Sequence, residues 1–123
     1  MTKKVLIVDD SAVVRNEIRA TLTEAGFVVV EAINGADGLL KLAEHLDLSL
    51  VICDVNMPVM DGVEMVEKAK QQSPSSSVPI VMLTTEGQPS LIRRARNAGV
   101  KGWIVKPFQP RLFVESVQRL TGA

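Results

Sequence analysis

The chain has 123 residues, 46% hydrophobic and 23% charged, with 14 basic and 14 acidic side chains and a formal net charge of zero. That is the composition of one ordinary globular domain, long enough to bury about two-thirds of the surface its unfolded chain exposes. A single cysteine excludes an internal disulfide framework and fits a reducing compartment, and no apolar run approaches the length of a membrane span. Charged Lys3 and Lys4 lead into only four apolar residues, so no secretory leader is read and a cytoplasmic location is expected.

The chain alternates between two periodicities. Val5–Val8 reads as a buried strand. Residues 12–25 follow with Val14, Ile18, Leu22 and Ala25 at helical spacing, and Gly26 is placed as a C-terminal cap. A second strand is expected over Phe27–Val30. Asn34, with Asp37 three residues on, reads as an N-cap with an acidic first turn, opening a helix to about residue 45. Leu50–Cys53 reads as a third strand, and Val63, Val66 and Ala69 mark the next helix. Ser73–Ser77 is a polar loop too short to separate domains. Ile80–Leu83 reads as a strand, Leu91, Ala95 and Ala98 as a helix ending at Gly99, and Trp103–Val105 as a last strand. Pro110 suits the first turn of a final helix with Leu112, Phe113, Val117 and Leu120 as its apolar stripe. Five strands alternating with five helices predict a (βα)5 doubly wound, five-stranded parallel sheet covered on both faces, as a single domain over residues 1–123.

The polar residues that close these strands carry the chemistry. Asp9 and Asp10 follow the first run and Asp54 the third. In an open parallel sheet the strand C-termini share one edge, where ligands bind. Carboxylates gathered there repel one another unless a cation or protons intervene, and an all-oxygen, carboxylate-rich set suits Mg²⁺. The plainer alternative, that each acid only caps the helix after it, does not account for three at strand ends. Thr84 and Thr85 close the fourth run and Lys106 the fifth, adding hydroxyls and an ammonium to the same edge. Metal, hydroxyl and ammonium together can share the oxygens of a phosphoryl group. No glycine-rich phosphate loop accompanies them, so nucleotide binding is not expected. His45 lies near a helix end away from this edge, and Cys53 reads as core packing.

Charge is unevenly spread. Residues 1–86 hold 13 of the 14 acids against 7 of the bases, whereas residues 87–123 hold Glu115 alone against seven bases. A basic third steers acidic partners, or it is simply a solvated pair of helices. It has no motif of a nucleic-acid reader and little aromatic interleaving, so no nucleic-acid partner is expected, and no membrane insertion.

The segments VLIVDD, CDVNMPVMDG, MLTT and WIVKPF resemble the four landmarks of a response-regulator receiver domain, in order and at fitting spacing, from Lys4 to about Leu120. The likeness is greatest to stand-alone chemotaxis regulators. It implies a flavodoxin-like receiver fold and a phosphoacceptor switch, not a turnover enzyme, with self-phosphorylation from donors and autodephosphorylation as its only chemistry. Asp54 would accept a phosphoryl group from a histidine kinase. Asp10, Asp54 and the backbone carbonyl of Asn56 would ligate Mg²⁺, with Asp9 acting largely through water. Thr84 and Lys106 would hold phosphoryl oxygens, the Lys106–Pro107 bond would be cis, and Asn56 and Glu86 would flank the attacking water. Thr84 and Trp103 would form the switch. The family often carries tyrosine at the Trp103 position, and a bulky, donor-only indole there puts an inward swing in doubt; a fixed aromatic is the alternative. Thr85 is bulkier than the residue often found after the switch threonine. The output surface, rich in Arg93, Arg94, Arg96, Lys101, Trp103 and Arg111, would bind a protein such as a flagellar motor switch component. A phosphorelay shuttle or another non-chemotactic stand-alone receiver is the alternative. A Mg²⁺-dependent phosphohydrolase of the haloacid-dehalogenase type would need a second aspartate where this chain has Asn56.

Overall fold

The computed structural model describes residues 2–72, 77–85 and 89–123, with the side chain of Pro89 left aside. Ser73, Pro74, Ser75 and Ser76 of the polar loop, and Glu86 beside the expected site, lie outside the described residues.

The elements run β1 (Lys4–Val8), α1 (Ala12–Glu24), β2 (Val28–Ala32), α2 (Gly35–Glu44), β3 (Leu48–Asp54), α3 (Gly62–Gln71), β4 (Ile80–Thr84), α4 (Pro89–Asn97), β5 (Gly102–Val105) and α5 (Pro110–Thr121). All strand pairs are parallel, in the order β2-β1-β3-β4-β5. Side chains alternate along each strand between two cores. Leu6, Val8, Val51, Cys53, Ile80 and Met82 pack with the α2, α3 and α4 side, through Leu42, Val63, Val66, Ala69 and Ala95. Val5, Ile7, Leu50, Ile52, Val81 and Leu83 pack with α1 and α5, through Ile18, Leu22, Phe113 and Val117. This two-sided burial is why the strands read as continuous apolar runs instead of alternating ones.

The caps follow the local chemistry. The side chains of Ser11, Asn34 and Asp61 accept hydrogen bonds from the amides three residues on, at 3.3, 2.8 and 2.8 Å, and so start α1, α2 and α3. Pro110 occupies the first turn of α5 without a side-chain cap before it.

One strand departs from the sequence expectation. β2 runs over Val28–Ala32 and not over Phe27–Val30. The Phe27 amide is taken by Leu22 O at 3.0 Å, which closes the end of α1. The charged Glu31 stays in the strand because Arg19 Nη1 and Arg15 Nε hold its carboxylate at 2.9 and 3.3 Å.

Register is what builds the functional edge. Val8 pairs with Cys53, Cys53 with Met82 and Met82 with Trp103, forming one row across the sheet. The residues one step further out are Asp9 and Asp54, side by side at the ends of β1 and β3. Thr84 stands a further step out opposite Val105, and Lys106 follows it. The chain leaves β1 and β3 where the strand order reverses, the place where open α/β sheets form their ligand crevice.

Candidate functional site

Asp9 is fully buried although it ends a strand. Its Oδ1 accepts the Ser11 amide at 2.9 Å, and its carbonyl accepts Arg15 Nη1 at 2.7 Å. Its second carboxylate oxygen, Oδ2, lies 3.2 Å from Lys106 Nζ. The same ammonium lies 3.6 Å from Asp54 Oδ1. Lys106 reaches this position from beyond the end of β5, where its amide donates to Thr84 O at 2.7 Å and its peptide bond to Pro107 is cis. Asp10 is exposed at the rim, and Thr84 is buried.

Three carboxylates and one ammonium leave a net negative site. The Asp54 carboxyl is pushed up from its ordinary value, first by burial, then by the charge of Asp9 and to a smaller extent Asp10, against the opposing pull of Lys106 and the Val55 amide. Burial pushes the neighbouring Cys53 thiol well above its usual range, with the Asp54 charge adding to it. Cys53 therefore stays a neutral thiol in the core, as expected from sequence.

The donor set fits a hard divalent cation. One oxygen each from Asp9, Asp10 and Asp54 lie within 4.8 Å of one another. Two oxygens on opposite sides of one Mg²⁺ stand roughly 4 Å apart. Small side-chain adjustments, or a bridging water, would close the set around such an ion.

Not every residue expected at the edge is part of this cluster. Asn56 is exposed on the β3–α3 loop, just past Val55, whose amide is held by Leu83 O at 3.3 Å. Trp103 is partly buried against the core on the α4 side, in register with Met82 and so two rows in from Thr84. Of the basic residues, Arg93, Arg96 and Lys101 are exposed. Arg94 is turned across to α3, where Nη2 lies 2.7 Å from Glu67 Oε1. Arg111 pairs with Glu115 and lines a groove between α1 and α5 with Glu24, so it does not share the α4 surface.

Two supporting residues went unread in the sequence. Arg15 ties α1 to the Asp9 carbonyl and to Glu31 of β2. Gly62 opens α3 so close to β3 that a Cβ there would overlap the carbonyl oxygen of Asp54. Only the Asp-Gly pair at 61–62, an N-cap before a glycine, hinted at it.

The match to the response regulator receiver domain model covers residues 5–118. The chain belongs to this receiver family. It is 39% identical to chemotaxis protein CheY1 of Helicobacter pylori over 97% of both chains. It is 40% identical to chemotaxis protein CheY of Bacillus subtilis, over 97% of this chain and 98% of that one. Among solved structures, chemotaxis protein CheY4 of Vibrio cholerae superposes with a TM-score of 0.91 at 40% identity, covering 98% of this chain and 99% of that chain. A CheY-like receiver from Methanospirillum hungatei reaches 0.92 at 28% identity. The chain is thus a receiver-domain response regulator with the five-stranded fold expected from its sequence, and receivers of this family are phosphoacceptor switches. No helix among the described residues is long and apolar enough to cross a membrane.

Proposed function

We propose that this receiver takes a phosphoryl group on Asp54 from the phosphohistidine of a histidine kinase and signals through phosphorylation-dependent protein binding in chemotaxis. The observation that carries the reading is Asp54 at the end of a buried strand, with Asp9 and Asp10 close by and the Lys106 ammonium 3.6 Å away. Asp9, Asp10 and Asp54 would hold Mg²⁺ with the Asn56 carbonyl; the ion supplies charge neutralisation of the phosphoryl oxygens when bound.

The chain's own residues do the rest. An Asp54 carboxylate oxygen attacks phosphorus, the P–N bond to the imidazole breaks, and its electron pair leaves with the ring nitrogen. The product is an acyl phosphate on Asp54. Lys106, now between Asp9 and Asp54, pairs with a phosphoryl oxygen, and the Thr84 hydroxyl donates to another. Thr84 is anchored to β5 through Lys106 N–H, so its movement is felt beside Trp103. The exposed Arg93, Arg96 and Lys101 favour an acidic output partner, such as a flagellar motor switch component. These roles suit a cytoplasmic protein.

The test is intact mass after incubation with acetyl phosphate, with and without Mg²⁺, on wild type and Asp54→Asn. A single Mg²⁺-dependent phosphoryl adduct absent from the variant is expected. An adduct that persists in Asp54→Asn, or none on wild type from acetyl phosphate and from a phosphorylated kinase alike, defeats the assignment. Trp103 fluorescence in the same samples reports whether the indole changes surroundings.

A further inference from the structure

Arg15 sits on a part of α1 that does not favour a cation. It lies at helical spacing from Ile18 and Leu22, both fully buried, and its own side chain is only 15% exposed. It also stands one turn from the N-terminus of α1, the positive end of the helix dipole. A guanidinium does not give up its proton, so a charge held there needs partners. It has two: Glu31 Oε1 lies 3.3 Å from Nε, and the Asp9 carbonyl accepts Nη1 at 2.7 Å.

The pair with Glu31 does not by itself explain the position. Arg19, one turn on and 49% exposed, pairs with the same carboxylate at 2.9 Å and already ties α1 to β2. What Arg15 adds is its hold on the Asp9 carbonyl. That carbonyl belongs to the peptide unit joining the two adjacent acids, and the unit is planar, so fixing its oxygen constrains the Cα of Asp10. Asp9 is fixed elsewhere too, its amide on Ala32 O at 3.1 Å and its carboxylate by the Ser11 amide and Lys106 Nζ. Asp10 is the contrast. It is exposed, and no hydrogen bond or ion pair among the described residues holds its carboxylate. Yet one of its oxygens lies within 4.8 Å of oxygens from Asp9 and Asp54. Its placement therefore comes through the backbone, from the peptide that Arg15 holds.

We propose that Arg15 is a positioning residue for the Asp10 carboxylate, and through it sets the affinity of the acidic cluster for a divalent cation. The inference rests on the reading of Asp9, Asp10 and Asp54 as Mg²⁺ ligands and names what holds the least anchored of them. Charge alone gives the opposite sign. A guanidinium behind the cluster repels a second cation, so removing its charge should tighten Mg²⁺ binding. Positioning predicts the reverse, because a carboxylate no longer held in place must be ordered when the ion binds.

The experiment is calorimetric titration of Mg²⁺ into wild type, Arg15→Met, Arg15→Lys and Arg19→Met, with thermal unfolding confirming that each variant is folded. Arg15→Met should raise the Kd for Mg²⁺ about tenfold, the usual scale for losing a residue that orients a metal ligand. Arg15→Lys keeps the charge but cannot hold the Asp9 carbonyl and Glu31 together, so its Kd should fall between the two. Arg19→Met removes an ion pair to the same Glu31 without touching Asp9, and its Kd should match wild type. Unchanged or tighter binding in Arg15→Met overturns the proposal. So does an equal loss in Arg15→Met and Arg19→Met, which would reduce Arg15 to a tie between helix and strand. Should Arg15→Met not fold, Arg15→Lys carries the test, and wild-type affinity there overturns the proposal. A wild type that binds no Mg²⁺ would instead remove the metal reading of the cluster itself.

Discussion

The paired ends of β1 and β3 and the flank formed by α4 and β5 are built to different standards. β1, β3 and β4 are almost wholly buried, and the acids at the ends of β1 and β3 are fixed by backbone amides, Arg15 and Lys106. β5 has four residues, none of them buried, and α4 buries only Ala95 among its described side chains, with an exposed ion pair to α3 beside it. Segments with little buried apolar contact open at low free energy, and segments that must move are drawn from them. The contrast assigns rigidity to the chemistry and compliance to the surface that would report it.

The comparison is broken most directly at Lys106. Lys106→Met leaves Asp9 buried without its ammonium, and stability without Mg²⁺ should fall by about 3 kcal/mol, the low end for breaking a buried pair. Chemical denaturation with and without Mg²⁺ checks it, since a cation at the cluster should recover much of the loss. Gly62→Ala attacks the same region through packing. Its Cβ meets the Asp54 carbonyl, and overpacking of this kind should cost roughly 1–3 kcal/mol and lower phosphorylation with it.

Asp54→Asn should act in the opposite direction. The folded carboxyl titrates above its ordinary value of 3.8, so ionising it is harder in the folded state than in the unfolded one. Its contribution is favourable below 3.8 and is lost as pH rises through the folded value. Without Mg²⁺ the variant should therefore be the more stable protein near neutrality, with a gap that closes on acidification. Thermal unfolding across pH measures that gap; a gap that stays constant contradicts the account. Val59, in the loop after β3, holds φ +70°, so Val59→Gly should raise stability by about 1 kcal/mol, from relief of strain set against greater freedom of the unfolded chain. The smallest effect is expected at the flank. Arg94→Ala removes only an exposed pair, and its slight loss of stability should vanish in high salt.

Much of this was legible because burial on both faces writes strands as apolar runs, and the first polar residue after each run falls on the functional edge. That logic found Asp9, Asp54, Thr84 and Lys106. It misplaced β2, an edge strand whose Glu31 looks like a terminator until Arg15 and Arg19 are seen to hold it. It treated Arg94 as one of a free basic set, since a pair 27 residues apart leaves no local trace. The positive φ of Val59 was beyond reach for another reason: propensity argues against it, and the Gly35 amide that holds the next carbonyl, Met60 O, at 3.2 Å comes from a distant loop.

The position of Cys53 has a practical corollary. Successive residues of a strand face opposite ways, so the thiol next to Asp54 lies in the core, 3.8 Å from Met65 Sδ, and not in the acidic cleft. An acyl phosphate formed on Asp54 would thereby be insulated from the one thiol in the sequence. The same sulfur is inaccessible in the native state and accessible once the sheet opens. Its alkylation rate would thus time the opening of the rigid half of the molecule, with no label introduced.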